Sequence, residues 1–435
     1  MEKIKVRVIG GGLAGCEASY QLAKRGFFVE LYEMKPHTFS PAHHNENLAE
    51  IVCSNSFKSS LLSTASGALK AELEILDSLL LKVAKKCKVP AGSALAVDRD
   101  EFSKLVSKEL EKFENIKIIR QEITSIDESI PTIIATGPLT SDKLAKNITK
   151  LLGEQELHFF DASAPIVEAS SIKMEKTFTT SRYQKGESDY INCPLNREEY
   201  YNFVNELIGA KRANLHDFET SEVFEGCMPI EIMASRGKDT LRFGPLRPVG
   251  LLDNEGKRPF AVVQLRRENV EGELYNLVGF QTNLTFPEQK RVFSMIPALE
   301  NAEFLKYGVM HRNTFINSPK HLNSDFSLKT NDKIFFAGQI TGVEGYVESI
   351  MSGLIAGISM ALKLENKEKI LFNNLTITGA LCNYISTENV NFQPMNANFG
   401  LLSPLNEVIK DKQKRKEAYS ERAILEMRKI KEAIC

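Results

Sequence analysis

The stretch Val6-Arg7-Val8-Ile9-Gly10-Gly11-Gly12-Leu13-Ala14-Gly15 decides the fold. An apolar strand runs into a glycine-rich turn, and Cys16 to Lys24 continues as an amphipathic helix that stops at Gly26, a fitting C-cap glycine. A second strand, Phe28-Val29-Glu30-Leu31-Tyr32, ends at the acid Glu33. That acid stands about twenty residues beyond the glycines, where a βαβ dinucleotide fold puts the carboxylate that takes the ribose hydroxyls. Gly10 allows the tight turn, Gly12 lets backbone approach a pyrophosphate, and Gly15 lets helix pack close on strand. The helix then turns its unpaired N–H groups and positive dipole end toward the phosphates. The pattern predicts a dinucleotide site built from Gly10, Gly11, Gly12, Leu13, Ala14, Gly15 and Glu33.

Composition bounds the rest. A chain of 435 residues with 43% hydrophobic content can hold two or three domains around sizeable cores. A net charge of −1 excludes a chain-wide basic surface, so any nucleic-acid site has to be a local patch. Seven cysteines, an odd number with no CxxC pair, fit reduced thiols rather than a disulfide framework. The first residues lead directly into a strand, so no signal peptide is expected. The apolar run 350–362 is short for a bilayer and rich in Gly and Ser, so no membrane span is expected. These features point to a cytoplasmic protein and leave its oligomeric state open.

Along the chain, 36–60 reads as loop, and helical patterns follow at 68–86 and 100–113. Strands are expected at 116–120 and 132–136, the second ending in Ala135-Thr136-Gly137-Pro138. From about 156 to 305 aromatic and β-branched residues dominate, and helix periodicity is weak except at 197–208. The fold class expected is α/β: a Rossmann-like FAD domain of the two-dinucleotide-binding type, from 1–155 plus 306–435, with a mixed, β-rich insertion domain at 156–305. A helical tail is expected after about 405.

A second strand–glycine–helix decides between cofactors. Lys333-Ile334-Phe335-Phe336-Ala337-Gly338 reads as a buried strand, and Gln339-Ile340-Thr341-Gly342-Val343-Glu344-Gly345-Tyr346 leads into a long small-residue helix. A nicotinamide dehydrogenase needs only the first glycine motif. A flavoprotein of the glutathione-reductase type returns late in sequence to aim a helix N-terminus at the flavin. FAD is therefore expected, with Gly338, Gln339, Gly345 and Tyr346 at its far end.

Most such flavoproteins carry Asp where this chain has Gln339. The variant resembles two tRNA-modifying groups, the MnmG flavoproteins and the folate/FAD-dependent tRNA (uracil-5-)-methyltransferases. Four stretches resemble the second: Glu50-Ile51-Val52-Cys53-Ser54-Asn55-Ser56-Phe57-Lys58, Pro90-Ala91-Gly92-Ser93-Ala94-Leu95-Ala96-Val97-Asp98-Arg99, Phe224-Glu225-Gly226-Cys227-Met228-Pro229-Ile230-Glu231, and Tyr307-Gly308-Val309-Met310-His311-Arg312-Asn313-Thr314. The resemblance runs from the N-terminus to about 405, and the MnmG-specific C-terminal helical region is absent from it.

The resemblance implies methylation of uracil C5 in the T-loop of tRNA, with the one-carbon unit from 5,10-methylenetetrahydrofolate, electrons from reduced FAD, and NAD(P)H as reductant. Uracil C5 is a poor nucleophile until a thiolate adds at C6, and a base must then remove the C5 proton. Cys227 matches the nucleophile and Cys53 the base. A histidine over the pterin maps onto His311. The basic run Arg236, Lys238, Arg242 offers a local phosphate-contacting patch. The acids Glu225 and Glu231 flanking Cys227 would oppose its ionisation. His37, His43, His44 and Glu46 match no metal-ligand spacing, so no metal is expected. The basic segment 410–431 reads as a solvated helical face, with an RNA contact as alternative. A paralogue acting on ribosomal RNA would carry the same catalytic residues, and a small-molecule NAD(P)H-flavin oxidoreductase is the reading from another class.

Overall fold

The computed structural model describes residues 4–154, 157–180, 189–213, 228–389 and 392–434, the side chains of 157–161, His311 and Arg312 excepted. At its centre lies β1 (Lys5–Ile9), followed by α1 (Leu13–Lys24) and β2 (Phe28–Glu33). The parallel five-stranded sheet runs in the order Ile334–Phe336, Thr132–Ile134, β1, β2, Ile116–Arg120. The late strand and the first βαβ unit thus end on the same edge of one sheet, with Thr132–Ile134 between them, although more than 300 residues separate them in sequence.

Close helix packing makes that edge. The helix Tyr346–Leu364 crosses α1 on small residues: a Cβ on Gly353 would lie 2.1 Å from Ala14 O, and one on Gly357 2.9 Å from Ala18 O. By length and composition this helix could cross a membrane, but 83% of its apolar window is buried inside the protein. It is the spine of the larger apolar core, drawn from 6–148 and 316–434.

A second core, drawn from 164–302, covers an antiparallel six-stranded sheet. Its strand order is Phe178–Thr179, Tyr190–Leu195, Ala261–Arg267, Leu274–Leu277, Ile166–Glu168, Phe304–Lys306. The helix expected at 197–208 is Arg197–Gly209, capped by a reciprocal Asn196–Glu199 box.

Several elements differ from the sequence reading. The continuous helix expected over 68–86 is two, Ala65–Ile75 and Leu79–Lys86. Asp77, at φ 68, breaks it, and Ser78 caps the second piece by accepting from Leu81 N. The stretch 36–60 contains a strand, Ser56–Ser59, that joins Ala94–Val97 and Lys88–Val89 in a small sheet. The β-rich region holds further helices at Ile230–Ser235, Thr240–Phe243 and Phe286–Phe293. Such short pieces make too few turns to show a periodicity. The tail is the helix Lys412–Ile434, which buries Ser420, Ala423, Met427, Ile430 and Ile434 and leaves Lys412, Lys414 and Arg415 exposed.

Candidate active site

The carboxyl ends of β1 and the late strand open into a cleft lined by Ile9, the Gly10–Ala14 turn, Gly338 and Gln339. Gly10 sits at φ +104, and a Cβ there would lie 2.5 Å from Ala135 O. A Cβ on Gly15 would lie 1.8 Å from Gly10 O, which is why helix and turn touch only with glycine at both. Gly12 differs: a Cβ there would meet nothing within 4 Å, so its open side faces the cleft it lines. The first turn of α1 has no side-chain cap and no acid, leaving its N–H groups for an anion.

Glu33 closes one end of the cleft. Its Oε2 accepts from Gly11 N at 2.9 Å and its Oε1 from Lys35 N at 3.0 Å. The carboxylate is 7% exposed and lines the cleft, and each oxygen keeps a lone pair for a hydroxyl. At the other end Gly338, φ +85, donates its N–H to Ser352 Oγ, and Gln339 donates to Glu344. Gln339, Tyr346 and Ser349 line the same cleft. Glycine cradle, uncapped helix and buried acid together fit the phosphate, ribose and ring system of a dinucleotide.

Cys53 stands beside that cleft. Its neighbour Val52 lines it, and the Cys53 backbone N–H donates to Tyr346 Oη at 3.0 Å. Its Sγ contacts Ala162 O at 3.9 Å. Among the described residues Cys16, Cys87, Cys193 and Cys382 are buried, and Cys53 alone is half-buried. Burial pushes the Cys87 thiol up to about 11 and the Cys193 thiol up to about 12, and raises Cys16 and Cys382 further, so these four stay protonated.

Cys227 lies outside the described residues. From Met228 the chain is anchored by Ile230 N on Gln281 O at 2.7 Å, and Thr282 N reaches Ser163 O, one residue beyond the Cys53 contact Ala162. Glu231, read from sequence as a charge flanking Cys227, is fully buried and turned inward, accepting from Thr282 Oγ1 at 2.9 Å and Asn283 N at 2.7 Å. Burial also raises its carboxyl above the usual range. The strand Met310–Phe315 pairs with Leu157–Ala162, setting His311 opposite Asp161 and next in register to Ala162.

The basic run is uneven. Arg236 and Lys238 are exposed. Arg242 lies 3.6 Å over the Phe260 ring, pairs with Asp239 at 3.0 Å and donates to Phe260 O, so it is built into the fold. His43 Nδ1 lies 2.6 Å from Ser40 Oγ. Among the described residues no three His, Cys, Asp or Glu side chains gather as a metal site.

Sequence reasoning missed the residues that hold the Cys53 loop. Asn55, fully buried, donates to Val97 O and Arg267 O and accepts from Arg266 Nε at 2.9 Å. Arg99 donates to Cys53 O. Both stand inside the stretches that carried the resemblance, which was the available signal.

The profile of the glucose inhibited division protein A family matches residues 5–368. A methylenetetrahydrofolate--tRNA-(uracil-5-)-methyltransferase, TrmFO, of Acetivibrio thermocellus is 56% identical over 421 residues, 96% of this chain and 97% of that relative. A protein of the same name from Fusobacterium nucleatum is 56% identical over 425 residues, 98% of each chain. The solved structure of Aquifex aeolicus GidA in its form II crystal covers all of this chain and 74% of its own, with a TM-score of 0.73 at 16% identity, a likeness of fold. The chain belongs to the glucose inhibited division protein A family, in the branch of the folate-dependent tRNA (uracil-5-)-methyltransferases.

Proposed function

We propose that this protein methylates C5 of a uridine in tRNA, the T-loop uridine, with methylenetetrahydrofolate as one-carbon donor. Two observations carry the reading. Relatives bearing that activity in their names match nearly the whole chain, and Cys53 is bonded through its backbone to Tyr346, which lines a dinucleotide cradle. FAD is the group inferred for the cradle, where it supplies reducing equivalents replenished from NAD(P)H.

The chain's own residues divide the remaining work. Gly10 to Gly15 and Glu33 hold the pyrophosphate and ribose, and Gly338, Gln339, Gly345 and Tyr346 bound the ring end. Cys227 Sγ bonds to uracil C6, which turns C5 into a carbon nucleophile toward the folate methylene. Cys53 Sγ takes the C5 proton, and C6–S cleavage later restores the ring. His311 stacks the pterin. Arg236 and Lys238 face RNA, and Arg242 braces the patch from within the fold. We assign cofactor binding to 1–155 plus 306–435 and substrate docking to the insertion 156–305, acting in the cytoplasm.

The test supplies purified protein with unmodified tRNA, NADPH, and either labelled methylenetetrahydrofolate or labelled S-adenosylmethionine. Label should enter tRNA from the folate alone, at one T-loop uridine. Label from S-adenosylmethionine alone overturns the reading, and transfer to ribosomal but not transfer RNA moves the substrate.

A further inference from the structure

We propose that Arg99 is the positioning residue of Cys53, held in place by Glu268 of the antiparallel sheet. Arg99 opens the helix Arg99–Glu111, and its guanidinium turns inward. Its Nη1 donates to Ile51 O at 3.4 Å and Val52 O at 3.3 Å, and its Nη2 to Cys53 O at 3.3 Å. Three consecutive carbonyls thus converge on one planar fork, which fixes the curvature of the loop carrying the thiol. On the other side of the same residue, Tyr346 Oη takes the Cys53 N–H. Both backbone polar groups of Cys53 are therefore bonded to side chains from distant parts of the chain.

The far side of the fork is anchored as firmly. Arg99 Nε donates to Glu268 Oε2 at 2.6 Å, with the two side chains 15% and 3% exposed. Glu268 follows the strand Ala261–Arg267, so the bond ties the Cys53 loop to the sheet of the second core. Its other oxygen, Oε1, is buried without a partner among the described residues, so the bonded Arg99 guanidinium compensates this carboxylate. Asn55 makes a parallel link through Arg266 and Arg267.

The arrangement has a charge as well as a shape. Arg99, Lys306 and Tyr346 interact electrostatically with Cys53; Glu268 acts on Arg99 and Lys306, Glu50 acts on Lys306, and Lys35 pairs with Glu50 at 3.1 Å. Burial lowers the Lys306 ammonium, and Arg99 adds to that. Burial raises the Tyr346 phenol, with Cys53 next among the causes, so Tyr346 keeps its proton. Arg99, a cation bonded to the Cys53 carbonyl, favours the Cys53 thiolate, and Glu268, the anion paired with that cation, opposes it.

The proposal rests on the catalytic part given to Cys53, but its test reads the thiol directly and stands if no methylation is found. Full-length, FAD-loaded Arg99→Gln, Arg99→Lys and Glu268→Gln are alkylated with iodoacetamide across a pH series, and the Cys53 peptide is quantified by mass. Arg99→Gln should raise the midpoint by about one unit and Glu268→Gln should lower it. Arg99→Lys keeps the charge and should keep the midpoint. It loses the fork, so methylation kcat should fall about tenfold or more at unchanged KM for tRNA. Midpoints that do not move, or that move together in Arg99→Gln and Glu268→Gln, overturn the proposal, and so does Arg99→Lys with the wild-type midpoint and kcat. If Arg99→Gln does not retain FAD and fold, the other two variants decide.

Discussion

The phenolic oxygen of Tyr346 accepts the backbone N–H groups of both Cys53 and Ser54, each at 3.0 Å. Tyr346 is the first residue of the helix that spans the core, and it lines the nucleotide cleft. One side chain therefore fixes the thiol loop relative to the cofactor cradle. Tyr346→Phe leaves the ring contact with Phe57 and removes the acceptor, so two N–H groups lose their partner, at about 1–3 kcal/mol each where buried. The variant should bind FAD and tRNA as before and lose kcat. Wild-type kcat with an unchanged Cys53 alkylation rate would show that the two bonds do not position the thiol.

Two glycines of the same turn should fail differently. A side chain on Gly15 runs into Gly10 O at 1.8 Å, so Gly15→Ala should lower the melting temperature even without cofactor. A side chain on Gly12 has room in the protein but stands where the pyrophosphate comes, so Gly12→Val should fold and stay colourless. Absorbance of bound flavin and thermal melts of both variants check this. A yellow Gly12→Val would remove that glycine from the phosphate site.

The first βαβ unit was legible because its glycine spacing is local: Gly10 takes a φ of +104 that favours glycine, and a Cβ on Gly15 would meet Gly10 O within the same turn. The late strand and helix were legible as a pair, since Gly338 and the small residues at 353 and 357 answer a close approach to α1. What escaped was set by distance. Asp77 at φ 68 gives no strong break in a run of good helix formers, and its ion pairs with Lys24 and Lys82 come from packing. Arg99 sits among acids that read as an exposed first turn, and Glu268, its partner 169 residues away, carries no local sign of the pairing. Likewise Arg242 looks in sequence like its neighbours Arg236 and Lys238, and only Phe260 and Asp239 set it apart.

That difference gives a binding prediction. Arg236→Ala with Lys238→Ala should flatten the salt dependence of tRNA affinity by about 0.7–0.9 in slope for each phosphate no longer neutralised. Arg242→Ala should lower the melting temperature, because it removes a ring contact, an ion pair and a carbonyl partner. An unchanged salt slope in the double variant shifts the footprint elsewhere, first to the exposed Lys412, Lys414 and Arg415.

Stability should also carry the signature of Glu72. This carboxylate is fully buried and accepts from Ile377 N, Thr378 N and Thr378 Oγ1 at the start of the helix Ile377–Tyr384. Burial outweighs these three donors and pushes it up from 4.5 to about 7. The folded state thus binds its proton more tightly than the unfolded state. The stabilising contribution is complete below 4.5 and is lost as pH rises through about 7. Glu72→Gln cannot titrate, so the melting temperature of wild type minus that of the variant should fall as pH rises through that window. A difference that rises with pH instead would mean that the three donors hold Glu72 ionised.

The two thiol roles separate in a trapping experiment. Cys53 is fixed beside the cleft by its backbone, whereas the chain leading from Cys227 is anchored through Ile230 and Gln281 on the side of the antiparallel sheet. A nucleophile that adds to C6 must form its bond before any proton leaves C5. With 5-fluorouridine in the tRNA, the C5 proton is replaced by fluorine and cannot be abstracted, so a covalent protein–RNA adduct should accumulate. Cys53→Ala should still form that adduct while producing no 5-methyluridine from ordinary tRNA, and Cys227→Ala should form none. Denaturing gels shifted by the mass of the tRNA read the outcome. Adduct in Cys227→Ala but not in Cys53→Ala exchanges the roles. Adduct in both variants means that neither thiol attacks C6, and the division of labour proposed for them fails.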